Sequence, residues 1–154
     1  MHPHHRVEPF FERALDLALA ERARGFLLHT PADLGPIFDQ VQDRMRVLGY
    51  PPKDLFAVRL ALHEAVTNAF QHGNRSDASK SIYFRYVVNS DEVLFEVEDQ
   101  GPGFVPDQVP DPFTGEIRDR PHGRGLFLMW AYMTWVSFNR MGNRVTLVKQ
   151  RSSC

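Results

Sequence analysis

Hydrophobic positions along the chain fall into blocks of two distinct periods. Phe10, Phe11, Ala14, Leu15, Ala18 and Leu19 recur at one-and-four spacing, which predicts an amphipathic helix ending near Gly25. FLLHT (26–30) is a short apolar run suited to a strand. Thr30-Pro31 with Ala32-Asp33 then supplies a helix start, and Leu34, Ile37, Phe38, Val41, Met45 and Leu48 repeat at helical period up to Gly49. A further helix is expected from Lys53-Asp54 to His72-Gly73, with Leu55, Val58, Leu62, Val66 and Ala69 as its apolar stripe. SIYFRYVVN (81–89) and EVLFEVED (92–99) have the β-branched and aromatic content of strands, joined by the turn signal Asn89-Ser90-Asp91. LFLMWAYM (126–133) reads as a buried helix, and TWVSFNR (134–140) and RVTLVKQ (144–150) as a second hairpin around Met141-Gly142-Asn143. Strands and helices are partly segregated in this order. The pattern therefore points to an α+β fold whose antiparallel or mixed sheet is covered on one face by helices.

One stretch breaks the alternation. Residues 101–125 hold five prolines and five glycines, too long a segment for a simple connection, so it is either a functional lid or a disordered linker.

Composition narrows the class more than the function. At 154 residues the chain suits one domain with a single sizeable core, and 43% hydrophobic with 24% charged residues is an ordinary globular balance. A formal net charge of −1 gives no global basic field for nucleic acid. No run approaches the roughly 18 apolar residues of a membrane helix, and the N-terminus lacks the apolar stretch of a secretory signal. The one cysteine, Cys154, offers neither a disulfide framework nor a cysteine zinc site, so a cytoplasmic location without membrane or nucleic-acid partners is expected.

Three short stretches carry candidate chemistry. In HEAVTNAFQHGN (63–74), Glu64, Asn68 and His72 stand four apart and would share one helix stripe. That stripe is either a solvated polar face or the wall of a site. Its lack of Lys and Arg and its small neighbours favour the wall, and carboxylate and amide oxygens are ligands that Mg²⁺ accepts beside substrate phosphates. In EDQGPGF (98–104), Asp99 ends a strand, and Gly101 and Gly103 allow a planar ligand to lie against the backbone, unless the segment is a plain turn. Asp99 could accept a hydrogen bond from an exocyclic amine. In HGRGLF (122–127), Gly123, Arg124 and Gly125 open a helix, where free N–H groups and a guanidinium suit an anion, although a bare helix start has the same pattern.

The order of these boxes is more specific than any one of them. E-x-x-x-N-x-x-x-H-G, then D-x-G-x-G-F after a strand, then G-x-G opening a helix resembles the Bergerat-type (GHKL) ATP-binding fold. The short chain and the wording of the first and last boxes are most similar to the anti-sigma-factor serine kinases. The resemblance covers about residues 24–150 and implies a two-layer α/β sandwich with a mixed, mostly antiparallel sheet. Residues 1–23 would be a helical N-terminal extension outside it.

Residue by residue, it implies Asn68 as ligand of the Mg²⁺ that bridges the ATP phosphates. Glu64 would be the general base, or would orient the attacking hydroxyl. Asp99 would hold the adenine amino group, with Gly101 and Gly103 lining the base pocket. Residues 105–122 would form an ATP lid, with Gly123, Arg124 and Gly125 on its phosphate side. The implied activity is ATP-dependent phosphorylation of a serine on an anti-anti-sigma (STAS-type) partner by a homodimer that otherwise holds a sigma factor. One position departs: many members carry Thr after the glycine of the last hairpin, where this chain has Asn143, an amide that can still donate and accept at the adenine site. Thr146 has the opposite strand parity. His63 and His72 are expected as packing or capping residues rather than metal ligands, and His2, His4 and His5 as a disordered terminus, with metal binding as the alternative. A nucleotide-sensing module without phosphoryl transfer is the alternative, and Glu64 argues against it. The detached catalytic domain of a histidine kinase is a third reading, set aside because no dimerising helix with a phospho-acceptor histidine precedes the domain.

Overall fold

The computed structural model describes residues 23–103 and 121–153, with only the backbone of residues 121–124. Five strands, β1 (Arg24–Leu28), β2 (Ile82–Val88), β3 (Glu92–Glu98), β4 (Trp135–Phe138) and β5 (Arg144–Gln150), form one sheet in the order β1-β2-β3-β5-β4. Every pairing is antiparallel. The mixed sheet allowed by the sequence is thus antiparallel throughout the described residues. Three α-helices, α1 (Leu34–Val47), α2 (Pro52–Asn68) and α3 (Pro121–Tyr132), complete the α+β architecture among these residues.

Period-two alternation decides which face the helices cover. Ile82, Phe84 and Tyr86 of β2, Val93, Phe95 and Val97 of β3, and Val145 and Leu147 of β5 are buried against Val41 and Met45 of α1, Val58, Leu62 and Val66 of α2 and Met129 of α3. Stacked rings bind the strands within this layer, Phe84 with Phe95 at 6.0 Å and Phe26 with Tyr86 at 6.2 Å. All three helices thus share one core with one face of the sheet.

Local chemistry sets the helix ends. Asp33 accepts hydrogen bonds from His29 N (2.8 Å) and Thr30 N (3.0 Å), closing a 3-10 turn (Pro31–Asp33) that leads into α1. At the start of α2, the buried Asp54 carboxylate accepts from Ser152 N and Oγ (2.7 and 2.6 Å) and lies 3.6 Å from Lys149 Nζ. The last residues of the chain are thereby fastened to the positive end of α2.

Three boundaries differ from the sequence reading. Gly25, expected at a helix end, lies within β1 opposite Arg85, and the Tyr83 ring covers it so closely that a Cβ would meet Tyr83 Oη at 2.5 Å. The α-helical part of α2 stops at Asn68, and Ala69–Gly73 is a π-helical turn. Finally, α3 begins at Pro121, so Gly123, Arg124 and Gly125 lie inside it, as do positions 121 and 122, the last two of the expected lid segment. Proline at the first helical position loses no intrahelical bond and presets φ. The amphipathic segment at 10–19, the histidines at 2, 4 and 5, Cys154 and lid residues 105–120 lie outside the described residues.

Candidate functional site

Two clusters, both anchored on the C-terminal end of α2, bring together residues far apart in sequence. The first joins α2 to α3. Glu64 and Asn68 sit one turn apart on α2, half-buried, and both side chains end on the backbone of buried Gly125. A Cβ on Gly125 would stand 2.7 Å from Asn68 Nδ2, 3.3 Å from Asn68 Oδ1 and 3.1 Å from Glu64 Oε2. The 2.7 Å approach is one that Cβ atoms essentially never make and the other two are tight, so the absent side chain is what lets the carboxylate and amide reach this point together. A carboxylate and an amide therefore face the first turns of α3. The geometry unites Glu64, Asn68 and Gly125; Gly123 is in the first turn of the same helix, while the side chain of Arg124 lies outside the described residues.

His72 does not belong to this row. The π-helical turn after Asn68 takes up extra residues per turn, which rotates His72 away from the position four residues onward that a regular α-helix would give it. Both His63 and His72 have exposed side chains, and the described residues contain no cluster of His, Cys, Asp and Glu that could by itself hold a metal ion.

The second cluster begins where the π-helical turn ends. It presses Gly73 against Asp99, so that a Cβ on Gly73 would overlap the carboxylate, and one on Gly101 would overlap the Gly73 carbonyl oxygen. The Gly101 N–H donates to Asp99 Oδ1 at 2.8 Å. Gly103 has φ +76 and passes against the Met141 carbonyl, a path closed to other residues by both dihedral and space. Burial pushes the Asp99 carboxyl above the ordinary range; the Gly101 hydrogen bond opposes this, Glu98 adds to it and Lys80 opposes it. Asp99 is thus a half-desolvated acceptor with one oxygen engaged by the backbone, in a notch walled by glycines.

Asparagines frame that notch. Asn143 N–H₂ donates to Asp99 O at 3.3 Å, while Asn143 Oδ1 accepts from Asn139 Nδ2 at 2.8 Å. Asn139 Oδ1 in turn accepts from the N–H groups of Gly142, Asn143 and Arg144. Both ends of the Asn143 amide thus tie the β4–β5 turn to the Asp99 loop. Thr146 stands on the opposite face of the sheet, beside Glu96 and Ser137, as its parity implied.

Sequence reasoning missed one residue that positions the site. Asn74, 1% exposed, donates from Nδ2 to Ser81 O at 3.0 Å and accepts from Gln100 N at 2.7 Å. It locks the end of the π-helical turn to the residue after Asp99. The signal was present in the pair Gly73-Asn74, where a small residue allows the approach and an Asx side chain bonds the returning chain.

With this geometry in place, the chain can be set beside known proteins. The family description "histidine kinase-like ATPase domain" matches residues 27–149. The anti-sigma F factor of Clostridium perfringens (strain SM101) is 31% identical over 83 residues, which cover 53% of this chain and 59% of that protein. The serine-protein kinase RsbW of Bacillus subtilis is 29% identical over 111 residues, 66% of this chain and 68% of that kinase. RsbW of Bacillus licheniformis is 35% identical over 80 residues, 52% of this chain and 43% of that protein. The chain thus spans less than two thirds of the length of the Clostridium perfringens anti-sigma F factor it matches. Both clusters lie within the matched span, and the chain belongs to the histidine kinase-like ATPase domain family.

Proposed function

We propose that this chain is an ATP-dependent protein-serine kinase that also binds a sigma factor, acting in a bacterial partner-switching system. The observation that carries this reading is the convergence of Glu64 and Asn68 on Gly125, with the Asp99 notch attached to the same end of α2. In this assignment Asp99 receives the adenine amino group, and Gly101 and Gly103 leave room for the base. Asn143 supports the adenine side by holding the Asp99 backbone. Gly123, Arg124 and Gly125 serve the phosphate side at the start of α3.

The donor set fits a hard cation that bridges phosphates. Asn68 contributes an amide oxygen, and Gly125, with no side chain of its own, leaves the room in which that amide and the Glu64 carboxylate meet. Asn68 would hold Mg²⁺, which when bound neutralises phosphate charge. Glu64 would take the proton from the partner's seryl hydroxyl as its oxygen bonds to the terminal phosphorus and ADP departs. Positioning and charge neutralisation supply most of the acceleration in such transfers, and a placed base contributes roughly 10²–10⁴-fold.

A protein acceptor is supported by the surface beside the base. A groove of about 450 Å³ between α1 and α2 is lined by Phe38, Leu60, Phe56, Arg59 and His63, the residue before Glu64. Phe56, 59% exposed, packs edge-on against Tyr132 of α3. Such an exposed aromatic pair suits an anti-anti-sigma (STAS-type) partner better than a small molecule.

Incubation with Mg²⁺, γ-labelled ATP and candidate anti-anti-sigma proteins tests the reading. Label should appear on a partner serine and fall at least about 100-fold in Glu64→Ala and in Asn68→Ala. Nucleotide binding with no transfer to any partner would instead identify a sensor module.

A further inference from the structure

The direction of the Asp99 carboxylate depends on how its backbone is held. The Asp99–Gln100 peptide is gripped from two sides: its N–H donates to Asn74 Oδ1 at 2.7 Å, and its carbonyl oxygen accepts from Asn143 Nδ2 at 3.3 Å. The Asp99 N–H also donates to the Asn143 carbonyl oxygen at 2.8 Å. An amide side chain bonds to a carbonyl only with its nitrogen turned that way, and its two ends have nearly the same shape, so Asn143 has no preference of its own. Asn139 supplies one. Its Oδ1 accepts from three backbone donors of the β4–β5 turn, Gly142 N at 2.9 Å and Asn143 N and Arg144 N at 3.1 Å. Three N–H groups cannot bond to an N–H₂, so the Asn139 oxygen is fixed among them and its nitrogen outside. That nitrogen donates to Asn143 Oδ1 at 2.8 Å, which leaves the Asn143 nitrogen facing Asp99 O.

We propose that Asn139 is a positioning residue of the nucleotide site: it fixes the polarity of the Asn143 amide, which in turn holds the carbonyl that sets the direction of Asp99. This role rests on the assignment of Asp99 to the adenine amino group and adds to it a residue that acts from a distance, through Asn143 rather than on the ligand. Aspartate at position 139 separates the two things that Asn139 does, because it has nearly the same shape but can only accept. One of its oxygens would still take the three N–H groups of the turn. The other would face Asn143 Oδ1, acceptor against acceptor. The Asn143 amide would then turn over, set its own oxygen against Asp99 O and lose that bond. The turn is kept and the relay is broken.

Affinities of the full chain for ATP and for purine riboside triphosphate, which lacks the exocyclic amine, test the relay. In Asn139→Asp the preference for ATP should fall about 5-fold, the worth of one neutral hydrogen bond, with the affinity for purine riboside triphosphate unchanged. In an Asn143→Ala background, Asn139→Asp should change the preference no further, because the amide it acts through is gone. Equal weakening of both ligands in Asn139→Asp would mark a general loss of structure and overturn the relay. An equal loss of preference with and without the Asn143 amide would overturn it too. If Asn139→Asp keeps the parent preference while Asp99→Asn lowers it, the relay falls and the adenine assignment stands. A parent without preference for ATP, or a preference untouched by Asp99→Asn, would remove the adenine assignment and the relay together.

Discussion

In the proposed assignment Asp99 would carry opposed demands on stability and binding. Its carboxyl is raised by burial, which means that the charged form is less favourable in the folded chain than in the unfolded one. The sign follows from linkage: a raised acid contributes stability that is fully present below its unfolded pKa and is lost as pH rises through the folded pKa. Asp99→Asn removes the charge and keeps an oxygen for the Gly101 N–H. We expect its melting temperature to equal or exceed that of the parent at pH 7–8, with the difference vanishing as pH falls through the raised pKa. A hydrogen bond to a charged group is worth roughly 1.5–3 kcal/mol, so nucleotide affinity should fall about 10- to 100-fold, as read by calorimetry. The parent should itself bind nucleotide more weakly as Asp99 protonates. Unchanged affinity in Asp99→Asn would remove Asp99 from the adenine site. Gly125 would separate the same two properties on the proposed phosphate side. In a helix Ala is favoured over Gly by up to about 1 kcal/mol, and the atoms that a Cβ would meet are ends of side chains that can turn away. Gly125→Ala should therefore melt no lower than the parent while losing most phosphoryl transfer, because Glu64 and Asn68 must leave their common point.

At the scale of elements, periodicity made every described strand and helix visible, because a half-buried sheet and amphipathic helices imprint their periods on the sequence. What it did not show has local physical causes. Glu64, Asn68 and His72 have regular α-helical spacing, yet nothing in AFQHG announces a π-helical turn, which the tertiary contact of Gly73 with Asp99 stabilises. Pro121 looked like part of a loop because proline and glycine punctuate the whole 101–125 stretch, but at a first helical position proline is compatible with a helix. The candidate site residues stood out as motifs, whereas the meeting of Glu64 with Gly125 did not, since no local pattern encodes how α2 crosses α3. Asn74 is the element-level joint. It links the end of the π-helical turn, the start of β2 and the Asp99 loop through bonds to Ser81 and Gln100. Asn74→Ala would remove the buried amide's bonds to the partly solvated Ser81 carbonyl and Gln100 N–H, a loss of about 1 kcal/mol. Urea denaturation should show the shift in midpoint, and nucleotide affinity should fall with it although Asn74 touches no proposed ligand position.

For the whole molecule, the sheet joins two unlike faces, and Glu96 marks the polar side of that division. Its carboxylate is 0% exposed, takes a hydrogen bond from Arg85 and has Arg144 Nε 3.8 Å away, on the face opposite the helices. The two arginine side chains are about one-fifth exposed, so their charges reach solvent in part while the carboxylate does not. Removing only the carboxylate charge leaves two guanidinium groups facing each other across a buried amide. Breaking one partner of a buried pair costs about 3–5 kcal/mol; the partial exposure of the arginines puts Glu96→Gln near the lower end. Replacing all three residues, Arg85→Leu with Glu96→Leu and Arg144→Leu, removes the stranded charges together with the desolvation they cost. That variant should recover most of the stability lost in Glu96→Gln, as buried ion groups exchanged whole for apolar residues often do. Chemical denaturation of the parent and both variants measures the two differences directly. The distance of Glu96 from α2 and α3 adds a functional criterion: nucleotide binding, measured well below the denaturation midpoint, should be the same in all three. A Glu96→Gln variant that keeps its stability but loses nucleotide would show that the outer face and the Asp99 notch are coupled through β3, whose last residue immediately precedes Asp99.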